Sequence, residues 1–131
     1  MINVSHLDHW VLTVKDIDTT VAFYENLLGM KKTLFGEQRV ALSFGHQKIN
    51  LHQAGHEFKP KAACAKPGTV DLCFIITTPL EEAITYCRTQ GVHILDDPFP
   101  TIVQRMGAKG PIRSIYVRDP DNNLLELSNY I

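Results

Sequence analysis

The stretch HLDHWVLTV, residues His6–Val14, decides the fold and also raises a chemical question. Its alternation predicts a β-strand with one apolar face formed by Trp10, Leu12 and Val14. The other face carries His9, a polar ring near the middle of a strand bound for a core. Because a buried polar group costs free energy without a partner, His9 is expected to have one.

This stretch begins an order of elements that occurs twice. A helix is predicted over 15–29 and strands over 30–35, 39–44 and 48–54. TVDLCFIIT, residues 69–77, begins the second series, with a helix over 78–91 and strands over 92–99, 113–119 and 123–129. We therefore expect an α+β fold, one domain over 1–131, with βαβββ modules at 6–54 and 69–131 and a connector at 55–68.

Glycine and proline mark the remaining breaks. Gln104–Pro111 carries Gly107 and Gly110 and predicts a mobile loop, and Asp119–Asn122 predicts a tight turn. A coincidental α+β meander is the alternative to a repeat. The matching helix start and stop signals in the two halves favour the repeat.

Bulk composition excludes several classes of protein. The 131 residues carry 13 basic and 14 acidic side chains, a net charge of −1, which predicts neither nucleic-acid nor membrane-surface binding. Three cysteines without a CxxC motif predict neither a disulfide framework nor a thiolate zinc site. The first residues lack a signal-peptide layout, so we expect a cytoplasmic protein.

Four polar residues fall in the first and last strands of the two modules. They are His9, His52, Asp71 and Glu126. If the two sheets form one trough, these two imidazoles and two carboxylates suit zinc, manganese, iron(II), nickel or cobalt. Each residue alone also has a structural explanation, such as a hydrogen-bonded core histidine, a turn cap at Asp71, or an ion pair between Glu126 and Arg113 or Arg118.

The chain resembles the vicinal oxygen chelate superfamily, the glyoxalase/bleomycin-resistance/extradiol-dioxygenase fold. The resemblance lies in LDHWVLTVKDIDTTVAFYENLLGM, KINLHQAG and IYVRDPDNNLLELSNY. Within it, the chain most resembles the glyoxalase domain-containing protein 5 group, whose bacterial members are often labelled virulence-associated. The resemblance implies a U-shaped metal-binding cleft with ligands at His9, His52, Asp71 and Glu126. Two departures are Asp71, where many relatives carry His or Glu, and Val11, where fosfomycin-resistance proteins carry Thr.

The resemblance also implies the chemistry. We expect a divalent-metal lyase or isomerase, glyoxalase-like, that acts on a small oxygenated or thiol-adduct metabolite, with Glu126 as catalytic base. Lys109, Arg113 and Tyr116 are the expected substrate-binding residues. An extradiol ring-cleaving dioxygenase and a metal-free ligand-sequestering protein are the alternatives. A homodimer is expected, in which the modules of two chains can be swapped.

Overall fold

The computed structural model describes residues 1–96 and 100–131, and its contacts divide the chain into two compact units, Met1–Pro67 and Gly68–Ile131. The first unit contains β1 (His9–Val14), α1 (Ile17–Leu28), β2 (Lys31–Phe35), β3 (Arg39–Phe44) and β4 (Gln47–Gln53). The second contains β5 (Asp71–Ile75), α2 (Leu80–Thr89), β6 (Val103–Gly107), β7 (Gly110–Arg118) and β8 (Leu124–Tyr130). The predicted α+β class and the two βαβββ modules are confirmed.

Each unit builds one mixed four-stranded sheet with the same strand order. The orders are β1-β4-β3-β2 and β5-β8-β7-β6, so the first and last strands of each unit are parallel neighbours. In the first unit the helix-side face is the core, with side chains at most 1% exposed at Leu12, Val14, Leu42, Ile49 and Leu51. The opposite face of each sheet is where the unusual polar residues lie.

The helix of the first unit begins and ends on the predicted signals. Asp16 caps α1, because its carboxylate accepts the Thr19 N–H at 2.9 Å. Gly29 ends the helix in the left-handed conformation at φ 65°. Burial of Val21, Tyr24 and Leu27 fixes α1 against its sheet.

The helix of the second unit is capped by a side chain from a strand rather than from its own N-cap residue. Pro79 occupies the cap position of α2 and provides no side-chain hydrogen bond. Instead Asn129, on β8, accepts the Leu80 N–H at 2.8 Å and donates to the carbonyls of Ile76 and Thr78, both at 3.0 Å. One side chain therefore ties the last strand to the start of the helix.

The turn before β8 is built as predicted. Asp119 Oδ1 accepts the backbone N–H groups of Asp121 and Asn123, both at 2.9 Å, and its Oδ2 accepts the Asn123 amide at 2.8 Å. Asn122 takes a positive φ of 67°. These bonds hold the entry to β8, and with it the position of Glu126.

Two predictions in the second unit are corrected. The predicted mobile loop Gln104–Pro111 is wrong, since these residues form β6, a two-residue turn and the start of β7. A Cβ on Gly107 would lie 2.9 Å from both Ile112 Cγ2 and the Tyr130 hydroxyl, so this glycine permits close packing rather than motion.

The predicted strand 92–99 is wrong over its described part. There the chain makes only an isolated bridge between Ile94 and Val117, and residues 97–99 lie outside the described residues. Over the described ranges, no helix has the length and apolar character needed to cross a membrane.

Candidate functional site

The strand register determines which polar side chains share a sheet face. In the first sheet His9 pairs with Lys48, Val11 with Asn50 and Thr13 with His52. Because side chains alternate along a strand, these six lie together on the face away from α1, here called the first polar face. In the second sheet Asp71 pairs with Leu124 and Cys73 with Glu126. The second polar face is the corresponding face, carrying Asp71 and Glu126.

His9 is held by its neighbour in sequence. Asp8 Oδ2 lies 2.7 Å from His9 Nδ1, and the His9 side chain is 44% exposed. This hydrogen bond also holds the pKa of the Asp8 carboxyl below its usual value. A carboxylate on one ring nitrogen is the arrangement that orients a metal-binding histidine, and here it leaves Nε2 for the ligand.

Glu126 is held by two fully buried hydroxyls. Ser114 Oγ donates to Glu126 Oε2 at 2.5 Å, while Ser128 Oγ lies 2.7 Å from Ser114 Oγ and 3.4 Å from the same carboxylate oxygen. These contacts engage Oε2, and the Tyr116 phenol on the facing strand also interacts with the Glu126 carboxylate. Glu126 is half-buried, so its remaining oxygen can reach a ligand.

Tyr116 lies directly opposite Glu126 in the β7–β8 register, on the second polar face as expected. Burial raises the pKa of the Tyr116 phenol above its usual value, and the Glu126 charge adds to the rise. Arg105 Nε donates to the phenol oxygen at 3.1 Å, and this hydrogen bond lowers the pKa of Tyr116, against the effect of burial. Tyr116 is therefore a protonated phenol at neutral pH, able to donate a hydrogen bond.

Arg105 was missed by the sequence reasoning, which placed it in a loop. Its guanidinium carbon lies 5.8 Å from the centre of the Tyr116 ring, so a cation reaches the second polar face from β6. The sequence does contain a signal for this position, because Val103, Arg105 and Gly107 are every second residue of β6 and therefore share one face of the strand.

Asp71 and Glu126 are close in register. Asp71 pairs with Leu124, so Glu126 lies two residues further along β8, about 7 Å in the strand direction. The same relation in the first sheet links His9 with Asn50, because His9 pairs with Lys48. Asn50, rather than His52, is therefore the equivalent of Glu126, and the expected equivalence of His52 with Glu126 is wrong.

Asn50 has the properties of a ligand position. Its side chain is 5% exposed, and its Oδ1 is buried without a hydrogen-bond partner among the described residues. A buried amide oxygen that lacks a donor carries an energetic cost that a bound cation or donor would offset.

His52 lies further from His9 than expected. Four register positions separate them, about 13 Å along the strands, so the first sheet does not bring the two rings together. Arg39 Nη2 lies 3.2 Å from His52 Nε2. Burial lowers the pKa of His52 below its usual value, and the Arg39 charge lowers it further.

Two of the expected substrate-binding residues lie elsewhere. Arg113 lies on the helix side of its sheet, where it donates to Glu81 of α2 at 2.5 Å. This places Arg113 on the face opposite Glu126. Lys109 lies in the β6–β7 turn, and its backbone N–H donates to the Tyr130 hydroxyl at 3.1 Å. Only Tyr116 of the three shares a face with Glu126.

Across residues 1–96 and 100–131, no cluster of three or more His, Cys, Asp or Glu side chains is close enough to hold a metal ion. The Asn50 side chain adds an amide oxygen, which is a further type of metal ligand. The described geometry gives two pairs of donors, His9 with Asn50 and Asp71 with Glu126, each at the same register spacing in its own sheet.

Known proteins are similar to this chain over nearly its whole length. The virulence protein STM3117 of Salmonella typhimurium is 49% identical over 98% of this chain and 86% of its own length. The glyoxalase domain-containing protein RDO1 of Mycosarcoma maydis is 51% identical over 98% of this chain and 70% of its own length. An integron cassette protein of Vibrio cholerae has a solved structure with a TM-score of 0.93 and 55% identity, covering 100% of this chain and 99% of its own.

More distant structures share the fold alone. They include lactoylglutathione lyase from Agrobacterium tumefaciens, at 20% identity and a TM-score of 0.70, over 97% of this chain and 95% of its own. A Listeria monocytogenes fosfomycin resistance protein, complexed with Mn(II) and sulfate, has 22% identity and a TM-score of 0.67. The match covers 98% of this chain and 93% of the Listeria chain. The model of the Glyoxalase/Bleomycin resistance protein/Dioxygenase superfamily matches residues 6–127. The chain therefore belongs to this superfamily.

Proposed function

We propose that the chain is a divalent-metal lyase or isomerase that acts on a small oxygenated metabolite. The observation that carries the proposal is the repeated donor pair, with His9 and Asn50 in one sheet and Asp71 and Glu126 in the other. The pairs are supplied by one chain, or by two if the modules are swapped between chains.

The donors fit a divalent cation. His9 offers Nε2 because Asp8 occupies Nδ1, and Asn50 offers a buried, unpartnered oxygen. With Asp71 and Glu126 the set has one nitrogen and three oxygen donors, which favours Mn²⁺ over the softer choices among zinc, nickel and iron(II). The Mn(II) in the distant Listeria structure is consistent with this choice. His52, at the position equivalent to Ser128, is outside the proposed set.

The bound ion supplies Lewis acidity for a substrate with two adjacent oxygens. The protein residues have separate roles. Glu126 would leave the ion to take a proton from one substrate carbon and would return that proton to the neighbouring carbon, while Ser114 holds its Oε2. Tyr116, kept protonated by burial and by the Glu126 charge, donates a hydrogen bond to a substrate oxygen. Arg105 positions that phenol.

Elemental analysis of untagged protein tests the proposal. The wild type is expected to retain about one divalent ion per chain, and His9→Ala and Glu126→Gln are expected to lose it. His46→Ala, at an exposed turn, is the matched control and should retain the metal. A wild type that binds no added Mn²⁺, Zn²⁺, Ni²⁺ or Fe²⁺ would instead support a ligand-sequestering protein.

Substrate assays then separate the reactions. Conversion of a methylglyoxal–thiol adduct without oxygen uptake is the expected result, because an isomerisation consumes no oxidant. Oxygen consumption with catechols would identify the ring-cleaving dioxygenase.

We propose a homodimer as the assembly. Light scattering is expected to give twice the mass of the chain. A monomer would exclude a site shared between chains, and all four donors would then have to come from one chain.

A further inference from the structure

A second group of polar side chains, on the first polar face, is not used by the proposed chemistry. Arg39 of β3 contacts His52 of β4, and the rings of Phe35 and Phe58 both lie against the Arg39 guanidinium. We infer that Arg39 and His52 form a binding site for the carboxylate group of a small organic acid. This site lies in the first unit alone and does not depend on the metal.

The hydrogen bond between the two residues fixes the proton on His52. Arginine has no acceptor, so Arg39 Nη2 must donate and His52 Nε2 must accept at 3.2 Å. The neutral ring therefore carries its hydrogen on Nδ1. His52 is 2% exposed, and this Nδ1–H has no partner among the described residues.

Arg39 provides a second unpartnered donor. Its Nε is buried and makes no hydrogen bond to any described residue. The guanidinium carbon lies 5.0 Å from the Phe35 ring centre and 4.3 Å from the Phe58 ring centre. Rings at these distances hold the planar fork while its N–H edge remains available for an oxyanion.

The local charge is positive. Lys48 Nζ lies 3.6 Å from the Phe35 ring centre, which adds a second cation beside Arg39. The nearby carboxylate of Glu57 is bonded to Lys61 at 2.8 Å, and that bond lowers the Glu57 pKa. Among the described residues, no carboxylate forms an ion pair with Arg39.

The second unit has a carboxylate at a position where the first unit has an amide. Ser114 and Ser128 of the β7–β8 pair correspond to Arg39 and His52 of the β3–β4 pair, because Tyr116–Glu126 corresponds to Ala41–Asn50. In the second unit the serine hydroxyls hold the Glu126 carboxylate. In the first unit the amide of Asn50 replaces the carboxylate, so the chain itself places no carboxylate at the equivalent position beside Arg39 and His52.

The flanking rings favour a carboxylate on an apolar body over inorganic phosphate. Phe58 is 45% exposed, and its ring centre lies 5.4 Å from that of His52 and 4.3 Å from the Arg39 guanidinium carbon. An apolar body attached to the carboxylate therefore has the Phe35 and Phe58 rings to contact.

Calorimetric titration with benzoate tests the inference on metal-depleted protein. Arg39→Met is expected to weaken benzoate binding at least about tenfold, because it removes the unpartnered Nε donor and the positive charge of the guanidinium. Arg113→Met, whose guanidinium contacts Glu81 in the other unit, should bind as the wild type does. Equal binding by Arg39→Met, equal binding of neutral benzyl alcohol, phosphate binding as tight as benzoate, or no binding at tens of millimolar would each overturn the inference.

A measurement on the wild type guards against a variant that fails to fold. In a ¹⁵N-resolved spectrum of the histidine rings, benzoate is expected to shift His52 Nδ1 most. A largest shift at His6, His9, His46, His56 or His93 would place the ligand elsewhere and contradict the inference. Benzoate binding in protein that cannot load metal would leave this inference standing while the proposed function fails.

Discussion

At the scale of single residues, the orientation of Glu126 depends on a neighbouring serine. Ser114 is fully buried and donates to Glu126 Oε2 at 2.5 Å. Such a donor fixes the orientation of a carboxylate that is to bind a metal. The proposed ligand and the residue that positions it therefore lie on adjacent strands.

Ser114→Ala is expected to lower Mn²⁺ affinity about tenfold, since the carboxylate loses its short hydrogen bond. Competition with a fluorescent chelator measures the change. Ser128→Ala is the matched control with a smaller expected effect, because its hydroxyl lies 3.4 Å from the carboxylate. Equal affinity in the wild type and Ser114→Ala would show that the serine does not position the ligand.

His52 should make stability depend on pH. Burial and the Arg39 charge lower the folded-state pKa of His52 below 6.5. The Lys61 charge lowers this pKa further, whereas the Glu57 charge raises it. The unfolded state then binds more protons in mild acid, so stability is full above pH 6.5 and declines as the pH falls through the folded pKa. Urea titrations between pH 7.5 and 5 should show a smaller decline for His52→Gln than for the exposed-site control His56→Gln. Equal declines in stability for the two variants would show that groups other than His52 cause the pH dependence.

At the scale of elements, Asn129 takes the place of the cap that Pro79 does not provide. Asn129→Ala removes the acceptor for the Leu80 N–H and the donor to two carbonyls, and should cost about 2 kcal/mol in the free energy of unfolding. Asn129→Asp keeps the acceptor but sets a charged oxygen against the two carbonyls, so it should cost at least as much. Urea unfolding measures both variants, and a loss below about 0.5 kcal/mol in Asn129→Ala would show that this cap contributes little to stability.

The elements that the sequence predicted are those with strong periodicity. In α1 the cap Asp16 and the terminating Gly29 are local signals, and in β1 the alternation of apolar residues marks the core face. Strand β6 was missed because it is an edge strand whose middle residues are exposed. With only β7 as a neighbour, it needs little apolar surface, and Gly107 suggested a loop.

At the scale of the whole molecule, the repeat was visible but its register was not. Alternation marks a face, and it cannot distinguish residues two apart on that face. The choice between Asn50 and His52 therefore needed the pairing of His9 with Lys48. The corrected register yields the same donor spacing in both units and frees His52 for a different role.

The most direct test is anomalous diffraction from crystals grown with Mn²⁺, recorded at the manganese edge. We expect one strong peak per site, within bonding distance of His9 Nε2 and a Glu126 carboxylate oxygen, from one chain or from two. A peak that contacts neither residue, or an ordered His9 and Glu126 with no peak at saturating Mn²⁺, would contradict the proposed metal site.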